Sequence, residues 1–232
     1  MKKLNVLNKI YLLIFVLLVI AIAVKLLNYK GWSRYYYSAS VSAPRMYPIK
    51  VYRADFVLSD GKTESLKTSD VNDQRLDWGQ GEFSQTSERQ QLPVKLVLDY
   101  VSYRDQSFYK DTINLPAQLI DSIFRNSKKA GIQQSIHKYG TNADGLVFIA
   151  GIANNGNVLV WLQGDKYERV LLKHKIAARE PSAADLFNER QLTKEQYLKQ
   201  AFADLSDDFF KNLAEGLAKD ANYIDSASNY LR

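Results

Sequence analysis

The feature that most constrains this chain is a run of fifteen uncharged residues, Ile10 to Val24, in which only Tyr11 has a polar tip. A helix that is apolar on every side has no face to offer water, so such a segment belongs in lipid or deep inside a core. Extended to Leu4–Leu27, with Lys9 inside it, the segment covers 24 residues. As a helix it would be about 36 Å long, enough for a hydrocarbon layer of about 30 Å. Twelve of the fifteen residues are Leu, Ile, Val or Phe, which together favour insertion by roughly 4–7 kcal/mol. Lys9 and Lys25 lie near the ends, where their stems reach the headgroups. Tyr29, Trp32 and Tyr35 to Tyr37 follow, as an aromatic belt does. The expectation is a membrane anchor through residues 4–27.

A cleaved signal peptide is the competing reading. Lys2 and Lys3 supply a basic start, Ile10 to Ile20 an apolar stretch, and Ala21-Ile22-Ala23 a small-residue cleavage pattern. That pattern is embedded in apolar sequence, and Leu26 and Leu27 continue it, so the flanks favour an uncleaved anchor. Positive charges stand on both sides (Lys2, Lys3 and Lys9 against Lys25, Lys30 and Arg34), so charge bias hardly decides orientation. A short N-terminal flank before a large domain fits a single pass through an inner membrane, with a cytoplasmic N-terminus and the domain in the periplasm. The expected organisation is an anchor at residues 1–28 and one extracytoplasmic α+β domain at 29–232. Within that domain, 60–92 reads as a long polar loop and 182–219 as a helical C-terminal part.

The chain carries 31 basic and 25 acidic residues, a net +6. Four of the lysines and none of the acids fall within residues 1–25, so the domain itself is close to neutral, with 27 basic against 25 acidic residues. A nucleic-acid binder shows a basic face on its folded domain; here the signs are interspersed, and no nucleic-acid partner is expected. There is no cysteine, which excludes thiol catalysis, disulfide frameworks, thioether lipid anchors and cysteine-based metal sites.

Beyond the anchor, Tyr35 to Val41, Ile49 to Leu58, Val94 to Tyr103 and Phe108 to Ile113 read as strands. In the second, Val51, Arg53, Asp55 and Val57 alternate with Tyr52, Ala54, Phe56 and Leu58. Ser59-Asp60-Gly61-Lys62 reads as a hairpin turn, followed by a short strand near Thr63 to Lys67. A helix starts after Pro116, buries Leu119, Ile120, Ile123 and Phe124, and ends at Gly131. Leu146 to Ile152 and Asn157 to Gln163 flank Ala153-Asn154-Asn155-Gly156, the strongest hairpin signal in the chain. Gly164-Asp165-Lys166 then leads into Tyr167 to Ile176, predicting an antiparallel meander. Ser182 is expected to cap a short helix over Ala183 to Arg190. Thr193-Lys194-Glu195-Gln196 is a capping box, and Leu198, Phe202, Leu205, Phe209, Leu213 and Leu217 predict one long amphipathic helix packed on a sheet face. The fold class is α+β: an N-terminal transmembrane helix, then a mainly antiparallel sheet domain packed by C-terminal amphipathic helices.

Chemistry-bearing patterns are sparse. His137 lies near Asp144 in sequence, and His174 sits between Lys173 and Lys175; no G-x-S-x-G surrounds any serine, so both histidines read as structural or surface residues. Gly79-Gln80-Gly81 lacks the strand-to-helix context of a phosphate loop. Asp204, Asp207 and Asp208 spread around a helix as a solvated face. Asp99 and Glu82 are a conceivable acid–base pair whose separation the sequence does not fix. No metal and no cofactor are expected. Tyrosine and tryptophan combine contact area with a polar tip, so Tyr35, Tyr36, Tyr37, Tyr47, Trp78 and Trp161 are the candidate binding residues.

Three stretches carry a resemblance: Trp32…Ala43-Pro44…Tyr47-Pro48, then Tyr100…Ser102…Phe108-Tyr109…Leu115-Pro116, then Gly151-Ile152-Ala153…Gly156-Asn157-Val158-Leu159-Val160-Trp161-Leu162…Gly164. Over about residues 32–165 the chain resembles a bacterial envelope family known as domain of unknown function 2931. The chain departs from it at Asn154-Asn155, where members commonly carry Pro-Gly, and in lacking the cysteine through which many members look lipid-anchored. The resemblance implies an envelope location and transfers no catalytic residue. The functional expectation is a membrane-tethered periplasmic binding protein, not an enzyme, with a protein partner; one version is an immunity protein against a secreted antibacterial toxin. The alternatives are an envelope hydrolase using His137 and a carboxylate, and a structural or assembly factor of the envelope. Fractionation checks the anchor: the intact chain should stay in the pellet after an alkaline wash, and removal of residues 1–28 should release the domain.

Overall fold

The computed structural model describes residues 5–75, 77–81, 86 and 88–216. The chain divides into two compact units, Met1–Arg34 and Tyr35–Arg232. In the first, α1 spans Val6–Tyr29. The Asn5 side chain caps it by accepting from the Leu7 amide at 2.8 Å, and Lys30 ends it in a left-handed conformation with φ 49°. Every described residue of α1 is exposed, so its apolar surface is unsatisfied within the chain itself. This helix is long and apolar enough to cross a membrane, as a signal sequence would also be. Arg34 folds back on its end, stacking 4.6 Å above the Tyr29 ring.

The second unit is built on two sheets. Strands β1 (Tyr37–Ser42), β2 (Ile49–Leu58), β3 (Thr63–Ser65), β4 (Pro93–Ser102), β5 (Ser107–Asn114), β6 (Gln134–Lys138), β7 (Thr141–Ile152), β8 (Asn157–Gly164) and β9 (Tyr167–Lys175) form them. The first sheet runs β3-β2-β4-β5, antiparallel throughout. The second runs β9-β8-β7-β1, with β6 paired to the front half of β7. The predicted meander of β7, β8 and β9 is present, and its first turn uses left-handed Asn155 (φ 56°) and Gly156 (φ 76°). The β1–β7 pairing is parallel, which local sequence does not announce. The predicted strand at 35–41 appears as β1.

Alternate residues of both sheets meet in one core that includes Phe56, Leu96, Leu98, Tyr100, Phe148 and Val160. Helix α2 (Ala117–Ser127) adds Ile120, Ile123 and Phe124 to it. Phe148 stands at the centre of an aromatic group, edge-on to Tyr37 and Phe56 and stacked on Phe124. The outer faces are also apolar and are also covered. Over the second sheet, Trp78 lies on Trp161 with ring centroids 5.3 Å apart, beside Val147, Ile149 and Leu159. Over the first sheet, helix α3 (Lys194–Ala201) and the residues after it set Leu198 and Phe202 on Val101 and Phe108. Full burial of two such side chains is worth about 3–6 kcal/mol.

Several expectations are corrected. In β2 the register shifts between Val51 and Arg53. This bulge turns Tyr52 outward and puts Val51 in the core, so the alternation changes phase midway. Residues 60–92 are not one open loop: a helical turn at Ser69–Asn72, β3, and the packed side chains of Leu66, Val71 and Trp78 occupy much of it. The Asp77–Gly81 stretch lies against the Ser38/Ser40/Ser42 face of β1. There the Gly79 amide donates to Ser42 Oγ at 2.8 Å, and a Cβ on Gly81 would stand 1.8 Å from Ser40 Oγ. The expected helix over 183–190 is absent. Asp185 instead accepts from the amide and hydroxyl of Ser182, each at 2.7 Å, and Phe187–Asn188 pairs with Arg190–Gln191 in a minimal hairpin. The capping box on α3 forms as predicted, but the single long helix does not. Ser206 caps a new helix, α4 (Asp207–Ala214), by accepting from the Phe209 amide, and Asp207 and Asp208 favour its first turn. Leu217 lies outside the described residues.

A Cβ on Gly151 would stand 2.5 Å from both Trp161 and Trp78. Gly151→Ala is therefore expected to lower the unfolding free energy by about 1–3 kcal/mol, measured by urea denaturation with tryptophan emission as the signal.

Candidate functional site

The bulge that turns Tyr52 outward, the turn at Ser182–Asp185 and the C-terminal half of α3 enclose a cleft of about 550 Å³. Lys50, Tyr52, Asp99, Asp185, Phe187 and Tyr197 line it, with Asp204 at its rim. Arg179 holds two of its carboxylates in place. The Arg179 amide donates to the Phe108 carbonyl at 2.9 Å, which docks the chain after β9 on the edge of β5. From there the guanidinium reaches both oxygens of Asp185 at 2.6 and 2.9 Å. It also stands 3.5 Å from Asp99 and lies over the Phe108 ring. Lys110 completes the pairing of Asp99 at 2.8 Å.

These contacts fix charge. The Arg179 fork holds the Asp185 carboxyl far below the usual carboxylate range, with the Ser182 hydroxyl and amide assisting. The Tyr52 and Tyr197 hydroxyls bond to each other, and burial pushes both phenols up. Asp185 is thus held ionised and the two phenols protonated across the physiological range. Such groups orient a ligand well and shuttle protons poorly.

A second polar cluster lies at the end of the sandwich where the three resemblance-bearing stretches meet. Asp105, in the β4–β5 turn, accepts from the Tyr109 hydroxyl at 3.1 Å and from the Asn155 amide at 3.0 Å. Arg104 stacks 4.7 Å above Tyr47, and the Tyr103 amide donates to the Pro48 carbonyl. These bonds tie three connections together; their role is to hold the turns in place.

The sequence-predicted residues fare unevenly. Tyr37, Tyr47, Trp78 and Trp161 are buried; an interior ring packs the core and offers nothing to a partner. Tyr35 is half-buried against Phe124. Tyr36 is half-exposed, with Arg89 and Lys138 over its ring. His137 is exposed on β6 opposite Asn142, while Asp144 stands opposite Ser135. His174 Nε2 lies 2.8 Å from Asp111 Oδ2, joining edge strand β9 to edge strand β5. The two histidines are far apart: His174 is level with Ile152 through Val158, ten residues along β7 from Asn142, or about 33 Å. Among the described residues, no group of three or more His, Cys, Asp or Glu side chains is arranged to hold a metal ion. Asp99 enters the cleft, whereas Glu82 lies outside the described residues. Gly79-Gln80-Gly81 is a packing turn. The cleft residues Tyr52, Arg179, Asp185, Phe187 and Tyr197 were not among the candidates. One local signal pointed to them: Phe187, the one aromatic in residues 177–191.

An α+β domain of two covered sheets, preceded by an apolar helix, is the class of protein these observations define. Within that class, the chain belongs to the family described as "Protein of unknown function (DUF2931)", whose profile matches residues 27–218. Comparison with curated proteins gives no match, and comparison with solved structures gives none.

The cleft's charge lock is testable. Because the folded state lowers the Asp185 pKa, its stabilisation is complete above the ordinary carboxylate range and is lost as pH falls below it. Asp185→Asn should cost about 1–3 kcal/mol at neutral pH, with the deficit shrinking as pH falls from roughly 5 toward 2. Urea titrations at several pH values read both effects.

Proposed function

We propose that this protein is a membrane-tethered binding protein of the cell envelope. In this reading α1 crosses the inner membrane once with its N-terminus in the cytoplasm, and the domain stands in the periplasm and catalyses nothing. The observation that carries the reading is the cleft of Tyr52, Asp99, Asp185, Phe187 and Tyr197. Phe187 is 61% exposed and Tyr52 49% exposed, beside carboxylates fixed by Arg179. Exposed aromatic rings next to fixed carboxylates suit a Lys or Arg side chain presented by a protein partner, through cation–π and charge-assisted contacts. Three carboxylates and one ammonium line the cleft; Arg179 pairs with Asp185 and Lys110 with Asp99, which leaves the exposed Asp204 as the carboxylate for a cationic ligand. One version is an immunity protein that neutralises an antibacterial toxin delivered to the periplasm; an assembly factor would use the same cleft on an envelope component. The hydrolase alternative has weaker support, since the exposed His137 ring makes no hydrogen bond to any carboxylate or hydroxyl among the described residues.

A photo-crosslinking side chain at Phe187, introduced in the full chain in native membranes, should yield one discrete adduct. The same probe at Arg169, exposed on β9, should yield none. Asp185→Asn should abolish the adduct while the protein level holds. No adduct at 187, or equal adducts at both positions, removes the cleft as the docking site. Sensitivity of a gene deletion to toxins from sibling competitors separates the immunity version from the assembly version.

A further inference from the structure

We propose that the β6–β7 hairpin is a second membrane contact, with its tip, Tyr139, seated in the headgroup region of the bilayer that holds α1. The inference rests on the anchored reading of α1 and adds to it a specific surface and ligand chemistry, the phospholipid interface.

The argument begins with register. The parallel partner of Tyr37, the first residue of β1, is Leu146, and β8 reaches no further along β7 than Val147. The residues Thr141 to Gly145 therefore continue past both neighbours. With β6 paired to them, they form a hairpin that projects five residues, or about 17 Å, beyond the sheet. Thr86 bridges to it at Lys138. This is the end at which the chain enters β1. Tyr37 is eight residues after Tyr29, the last residue of α1, so the covalent chain limits that entry point to about 28 Å from the end of the helix. The tip therefore projects from the same end of the domain at which the tether enters β1.

The tip also has suitable chemistry. Tyr139 is 80% exposed, the most exposed large aromatic or aliphatic side chain among the described residues. It sits in a two-residue turn that left-handed Gly140 closes at φ 76°. Lys138 precedes it, with its ammonium 5.2 Å from the centre of the Tyr36 ring and 3.3 Å from the Tyr36 hydroxyl. Arg89 stacks on the same ring. Tyrosine and the long basic side chains are the residues that partition to the membrane interface, ring or stem inward and polar tip in the headgroups. In water, an aromatic at the end of a projecting two-stranded ribbon gains no burial; at the interface it does. Ile136 of the ribbon is buried against the second sheet, which seats the base of the hairpin on the domain.

The chain has no cysteine, which makes single-site labelling direct. Full-length protein carrying Thr141→Cys, labelled with an environment-sensitive dye, is reconstituted in vesicles of phosphatidylcholine with phosphatidylglycerol. Matched samples carry the dye at Ile14→Cys, inside α1, and at Asn155→Cys, in the β7–β8 turn at the far end of the sheet. Lipids bearing a nitroxide near the headgroup should lower emission at 141 about twofold and leave 155 unchanged. Tyr139→Asp with the dye still at 141 should abolish that quenching. Quenching of 14 by lipid but equal water exposure of 141 and 155 overturns the hairpin contact and leaves the anchor standing. Water exposure at 14 removes the anchor, and the proposed contact with it.

Discussion

Apolar surface on both faces of both sheets is the constraint on which the rest of the domain depends. Leu146 to Ile152 of β7 are all buried, sending Leu146, Phe148, Ala150 and Ile152 to one side and Val147 and Ile149 to the other. A strand that is hydrophobic on both sides needs covering on both sides. One side is satisfied by the opposing sheet. The other recruits the segment around Trp78, and its entry is possible because β1 presents serines and β7 presents Gly151 beneath it. The first sheet has the same need, and Val101 and Phe108 are met by Leu198 and Phe202. The layers follow from this need, and so does the site, because a cleft opens where the covering α3 meets the bulge and its Tyr197 reaches Tyr52.

Within that cleft, one arginine links fold and chemistry. Arg179 holds the strand that follows β9 to β5, anchors the turn at Asp185 and holds two of the cleft's carboxylates in place. Its pairing keeps Asp185 ionised, while burial keeps the nearby Tyr52 and Tyr197 phenols protonated.

The elements that local chemistry governs were legible in the residues. Asn155 and Gly156 tolerate positive φ, Thr193 and Gln196 satisfy each other's backbone amides, and α1 is apolar at nearly every position. What misled was local pattern without its tertiary competitor. Ala183 to Arg190 has a cap and a helical composition, yet Arg179, distant from it only in purpose, draws Asp185 into a turn. The apolar spacing from Leu198 to Leu213 is continuous, yet Ser206 followed by two aspartates restarts the helix. The polar composition of 60–92 concealed Leu66, Val71 and Trp78, whose burial requires a sheet face that no window of that segment contains. Of the four tyrosines and two tryptophans singled out for their surface chemistry, four are buried, because ring count says nothing of which way a strand faces.

By itself, the sequence determined the apolar N-terminal helix, the hairpin order of the strands, the α+β class and the family, since each depends on residues close together in the chain. Tertiary structure alone decided the parallel union of β1 with β7, the phase of β2 after its bulge, and the meeting of Tyr52, Asp99, Arg179, Asp185 and Tyr197 in one cleft. Those features join residues up to 145 positions apart, and contacts of that span are chosen by the burial of whole faces, a property no short stretch of sequence possesses.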